Sequence, residues 1–189
     1  MRDKMYRNDR LERSKTGLLV VDVQEKLFPY VENSCPVMQV IQKAVRGFQI
    51  LHLPIYVTEQ YPQGLGTTVA TLKGVLGEKQ RYLTKTTFSC MADDAIQKEL
   101  LNTPISQWVI IGIEAHVCVL QTAKDLLAHG KQVIILNDAI SSRSIYDFST
   151  AIAELRDCGA RISSTETVLF ELLRNSKAAE FKEISQLIK

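Results

Sequence analysis

Residues 107–130 read QWVIIGIEAHVCVLQTAKDLLAHG. The first part, through Ile113, is apolar at nearly every position, as in a strand covered on both faces. From Cys118 to His129 the apolar residues fall instead at helical spacing, and Gly130 supplies a stop. A strand running into a helix in this way is the unit from which parallel sheets are wound. Between the two stands the triplet Glu114-Ala115-His116, polar at both ends, which a junction built only for packing does not need.

The same alternation runs along the whole chain. Strand-like runs fall at 16–24, 54–59, 80–86, 107–114, 131–139 and 160–165, and segments of helical period at 37–52, 92–102, 118–129, 147–158, 168–175 and 178–188. The pattern predicts an α/β three-layer sandwich with a central six-stranded parallel, doubly wound (Rossmann-like) sheet. The 189 residues, 46% apolar and 23% charged, fit one domain, with neither repeats nor a linker.

The net charge of +2 comes from interspersed signs. Basic residues cluster only near the start (Arg2, Lys4, Arg7, Arg10, Arg13, Lys15), where acidic residues alternate with them. That composition predicts a solvated N-terminal arm and points away from nucleic acid and from membrane surfaces. The four cysteines are far apart, without a CxxC pair, and no apolar leader or spanning segment is visible. They read as reduced thiols in a cytoplasmic protein.

In open parallel sheets, ligands bind at the carboxyl ends of the strands. Asp22 stands there after the first strand, Thr58 and Glu59 end the second, and Lys85 the third. Glu114 to Cys118 follow the fourth, and Asp138 with residues 141–144 the fifth. An acid, a cation and a thiol thus converge on one edge.

A cysteine of ordinary acidity is only about 3% thiolate at neutral pH, and making thiolate the major form takes roughly 2.7 kcal/mol. A helix N-terminus supplies about 0.3–1 kcal/mol, so Lys85 is the expected second positive group beside Cys118. Asp22 has the chemistry to take the thiol proton and return it to a leaving amine. The alternative is structural: Asp22 caps a turn or simply pairs with Lys85. His116 lies two residues from Cys118 and so faces away from it on a helix. Three dispersed histidines, with no DxH or HxxxH pair, indicate no metal site. Cys35, Cys90 and Cys158 read as buried or incidental thiols.

At this point the residues resemble a known group. The segments DVQEKL (22–27), TEQYPQGLG (58–66), KTTFS (85–89), GIEAHVC (112–118) and DAISSRS (138–144) are similar, in order, to the isochorismatase-like (cysteine hydrolase) superfamily, and look closest to its isochorismatase domain-containing protein 2 branch. The resemblance covers nearly the whole chain and implies a hydrolase domain over 16–189, after an arm of 1–15. It implies an Asp-Lys-Cys triad on Asp22, Lys85 and Cys118. It further implies a cis peptide at Ile113-Glu114 that turns the N–H groups of Glu114 and Cys118 into an oxyanion hole. The metal-binding DxH of nicotinamidases has no counterpart in VTEQYPQGLG, and isochorismate-cleaving members often lack the cysteine.

The expectation is therefore a metal-independent, cofactor-free hydrolase of carbon–nitrogen bonds other than peptide bonds. It would act on a small amide, imide or carbamoyl group through a thioester. Gln24, Phe28, Tyr61, Phe88 and Arg143 are candidate pocket residues. The resemblance also implies a homo-oligomer. Two other readings stay open: a silent binding or redox-sensing protein on the same fold, and an isochorismate-type vinyl ether hydrolase.

Overall fold

Each strand-like run contains a strand: β1 Thr16–Val21, β2 Ile55–Gln60, β3 Tyr82–Lys85, β4 Gln107–Ile113, β5 Gln132–Ser141 and β6 Arg161–Ser163. In the computed structural model, which describes residues 10–189, they form one sheet in the order β3-β2-β1-β4-β5-β6. Every neighbouring pair is parallel. From β1 the chain adds strands toward one edge and from β4 toward the other, so the winding reverses between β1 and β4. The crevice at their carboxyl ends is the binding position of such sheets.

Alternation along the strands divides the core between two faces. Leu18, Val20, Val109 and Ile111 pack with α1 (Ser34–Ile50), α3 (Ala70–Leu76), α7 (Thr165–Leu173) and α8 (Phe181–Ile188). Leu19, Val21, Trp108 and Ile110 pack with α4 (Asp94–Leu101), α5 (Leu120–Ala128) and α6 (Ile145–Asp157). The expected three layers are present. Asp93, Ser144 and Ser164 cap α4, α6 and α7 by accepting first-turn N–H groups.

Two helices were not anticipated: α2 (Pro62–Leu65) and α3. Both are short, and Gly64, Gly66, Gly74 and Gly77 dilute their helical period. The helix expected from Cys118 begins only at Leu120, a difference that matters for the chemistry below.

Residues 1–9, and with them Arg2, Lys4 and Arg7 of the expected arm, lie outside the described residues. Residues 10–15 lie against the body at the amino end of the sheet. Leu11 is fully buried with its N–H on Glu171. Arg13 donates to Leu172 O at 2.8 Å and to Glu180 Oε1 at 2.8 Å. Among the described residues no helix is long and apolar enough to cross a membrane.

Candidate active site

Asp22 is the first residue past β1, with φ 50°, a left-handed conformation that Asp tolerates better than most residues. Its side chain is fully buried. Oδ2 accepts from Lys85 Nζ at 2.6 Å, and Oδ1 from the Thr58 hydroxyl at 2.7 Å. The Asp22 N–H donates to Thr58 O at 3.3 Å.

Lys85 ends β3, in register with Gln60 of β2. Besides Asp22, its ammonium donates to Gln60 Oε1 at 2.7 Å and to the carbonyls of Thr87 at 3.2 Å and Phe88 at 3.1 Å. Four acceptors thus surround three protons. Burial works against the charge, but Asp22 outweighs it, and Lys85 is held above the ordinary lysine range. It is a fixed cation, not a proton carrier.

The third residue reaches the same place from β4. Gly112, at φ 114°, pairs with Val21, and a Cβ there would lie 2.1 Å from Val21 O, so only glycine lets the strands approach this closely. The Ile113–Glu114 peptide is cis. One turn of π-helix follows over Ala115–Val119, with Glu114 O accepting from Val117 N at 3.1 Å and Val119 N at 3.2 Å. The Cys118 N–H, between these two, takes no part in those bonds. π-turns are rare and occur often at functional sites.

Cys118 is buried, and burial is the largest influence raising its thiol; the negative charge of Asp22 raises it further, while Lys85 opposes both. The thiol ends well above the ordinary cysteine range. This differs from the resting thiolate expected from the sequence, for two reasons. Cys118 sits inside the π-turn and not in the first turn of α5, and the charge of Lys85 is already committed to Asp22. The structure nonetheless brings Asp22, Lys85 and Cys118 together at the crevice.

The remaining candidates lie differently. Gln24 is fully buried, and its amide is engaged with backbone: Nε2 donates to Gln60 O at 2.9 Å and Gly66 O at 2.6 Å, while Oε1 accepts from Gln60 N at 2.6 Å. It ties the end of β2 as a neighbouring peptide group would, and does not offer a free amide to a substrate. Phe28 is a core residue. Tyr61 and Phe88 are exposed beyond β2 and β3. Arg143 is exposed and bonds Glu114 Oε1 through Nε at 2.8 Å. His116 Nδ1 meets Ser142 Oγ at 2.9 Å. Asp138 caps α7 through Thr165. Among the described residues no group of three His, Cys, Asp or Glu side chains is arranged to hold a metal ion.

Three site residues had no role assigned from the sequence. Thr58 and Gln60 hold Asp22 and Lys85, and their i, i+2 spacing on β2, next to the strand that delivers Asp22, was the readable signal. Cys90 Sγ lies 3.8 Å from Thr58 Oγ1, and burial pushes its thiol up to about 11.

The isochorismatase domain matches residues 16–167. Isochorismatase domain-containing protein 2 of Danio rerio is 41% identical over 95% of this chain and 89% of its own length. A solved structure of MAR1 ribonuclease from Caenorhabditis elegans superposes with a TM-score of 0.88 at 37% identity, covering 95% of this chain and 92% of that one. The Escherichia coli YcaC gene product, an octameric hydrolase of unknown specificity, shares the fold at TM-score 0.89 and 21% identity, over 95% and 89% of the two chains. By the extent of these matches, the chain belongs to the isochorismatase-like family of hydrolases.

Proposed function

We propose that the protein is a metal-independent cysteine hydrolase that cleaves a small amide, imide or carbamoyl substrate through a thioester on Cys118. The observation that carries this reading is the buried Asp22 carboxylate, pinned by Lys85 at 2.6 Å, facing a thiol kept protonated at rest. Such a thiol is a poor nucleophile until a base removes its proton, and Asp22 is that base.

As the sulfur attacks the carbonyl carbon, its proton passes to Asp22, and the negative charge moves to the carbonyl oxygen. The N–H groups of Glu114 and Cys118 receive that oxyanion. Collapse of the tetrahedral species breaks the C–N bond, and Asp22 returns the proton to the departing nitrogen. Water then attacks the thioester, again with Asp22 as base, releasing the acid and restoring the thiol. Lys85 stays protonated throughout and keeps the site's charge balanced while the Asp22 proton comes and goes.

The test is ammonia release from a panel of small amides, with chelator present, by wild type and Cys118→Ala. Chelator-resistant release that the substitution abolishes supports the reading. Isochorismate cleavage by Cys118→Ala, or RNA cleavage by it, the activity named for the C. elegans relative, would replace the reading.

A homo-oligomer belongs to the same proposal. Among the described residues, the exposed large apolar side chains are Tyr30, Tyr61, Phe88, Ile145 and Tyr146, and all follow β1, β2, β3 or β5 at the carboxyl edge. Apolar side chains left exposed on one edge fit an interaction surface. Light scattering showing a multiple of the 21.3 kDa chain mass, reduced by Tyr146→Asp, supports it; a monomer at all concentrations overturns it.

A further inference from the structure

Asp22 must do its proposed work with a carboxylate of fixed orientation, yet its own backbone gives no such guarantee, since it stands outside β1 in a left-handed turn. Lys85 holds Oδ2 alone. The other oxygen and the main-chain N–H are both held by one residue, Thr58: its hydroxyl donates to Oδ1 at 2.7 Å and its carbonyl accepts the Asp22 N–H at 3.3 Å.

The hydroxyl is itself oriented. It carries one proton, and a carboxylate can only accept, so that proton points at Asp22. The Cys90 thiol, 3.8 Å away and raised to about 11, remains protonated and donates to the hydroxyl oxygen. Cys90 is in turn placed by its N–H, which donates to Thr122 Oγ1 at 3.0 Å. The result is a buried relay of donors, Cys90 to Thr58 to Asp22, ending on the oxygen that Lys85 does not hold. Threonine suits the position because its branched Cβ restricts χ1, whereas serine would place the same hydroxyl less rigidly.

We infer that Thr58 is a positioning residue for the reaction: it fixes the plane of the Asp22 carboxylate so that a proton is taken from Cys118, and later from water, along one direction. This rests on the cysteine-hydrolase reading above. The step most sensitive to it is thioester hydrolysis, in which Asp22 must deprotonate a weakly held water; thiol attack on an activated ester needs the base less.

The experiment uses p-nitrophenyl acetate, following p-nitrophenolate release for the burst and the steady state, and acetylation of Cys118 by intact mass. Wild type acetylates Cys118 and turns over. Thr58→Val keeps the burst but slows turnover about 10- to 100-fold, with acetyl-Cys118 accumulating. Thr58→Ser restores turnover, and Asp22→Asn loses it. Should the valine variant fail to fold, as judged by its melting transition, Thr58→Ala takes its place. Turnover of the hydroxyl-free variant equal to wild type, while Asp22→Asn has lost it, overturns the role of Thr58 and leaves the hydrolase reading intact. Equal losses in Thr58→Val and Thr58→Ser overturn it as well. Neither turnover nor acetyl-Cys118 in wild type removes the hydrolase reading and the inference with it.

Discussion

Lys85 Nζ and Asp22 Oδ2 lie 2.6 Å apart with both side chains wholly removed from solvent. A pair in this setting is worth little compared with an apolar substitute, but each half is intolerable without the other. Asp22→Asn and Lys85→Met are each expected to cost about 3–5 kcal/mol. The double substitution should cost clearly less than their sum. Urea or thermal unfolding of the four proteins measures the coupling, and simple additivity would show that the pair is not desolvated as a unit.

The protonated thiol gives a pH dependence of definite sign. Burial and the charge of Asp22 both raise Cys118, so its thiolate forms only at pH above that of an ordinary cysteine. Iodoacetamide labelling of Cys118 should be slower at pH 7 than labelling of exposed Cys35 and Cys158, and should keep rising after theirs has levelled. In Asp22→Asn the raising charge is gone while Lys85 remains, so the Cys118 profile should move to lower pH. Peptide mass mapping separates the thiols. A shift to higher pH would contradict the arrangement of charges.

Gly112 makes the seam between β1 and β4 sensitive. A Cβ there meets Val21 O at 2.1 Å, Val21 N at 2.7 Å and Val21 C at 2.8 Å, all backbone atoms that cannot swing aside. Gly112→Ala should lower stability by about 2–4 kcal/mol and reduce turnover more than its stability loss explains, because the seam delivers both Asp22 and Cys118. Gly74→Ala, in α3 with open space around the new methyl, is the control and should leave melting unchanged or raise it.

The N-terminal segment predicts an acid sensitivity. Burial works to raise the Glu171 carboxyl, but its bonds to Arg161 and to the Leu11 N–H outweigh this and hold it below the ordinary range. A lowered carboxyl stabilises the fold above its unfolded-state value, and that advantage is lost as pH falls through its folded-state value. Glu171→Gln should therefore cost about 1 kcal/mol at pH 7, with the difference from wild type shrinking as the solution is acidified below the ordinary carboxyl range. A difference that grows toward acid would reverse the assignment.

The central strands β1 and β4 were legible because each is covered on both faces and so is apolar at successive positions. Leu18 to Val21 and Trp108 to Ile111 carry no helical period to confuse them. The ends of strands fixed where to look, and hence Asp22, Lys85 and Cys118. The state of the thiol was not legible. It depends on whether Lys85 is free or already bonded, and on a π-turn displacing the helix start from Cys118 to Leu120, neither of which leaves a mark in residue spacing. Gln24 misled for a related reason: a polar residue two positions from Asp22 reads as a site residue, but its amide closes the backbone of Gln60 and Gly66. Short α2 and α3 escaped notice because glycine punctuates both.

Asp22, Lys85 and Cys118 are delivered by β1, β3 and β4, the first two separated by 63 positions in sequence. In a growing chain the acid and the lysine emerge well before the cysteine, and they have a partner in each other once β2 has joined β1 to β3. The guarded state of the sulfur belongs to the assembled strands, because burial and the charge of Asp22 are what raise its thiol. Reactivity of Cys118 toward a thiol label thus reports whether these strands are assembled: chains in which they are apart are marked quickly, and finished molecules are passed over.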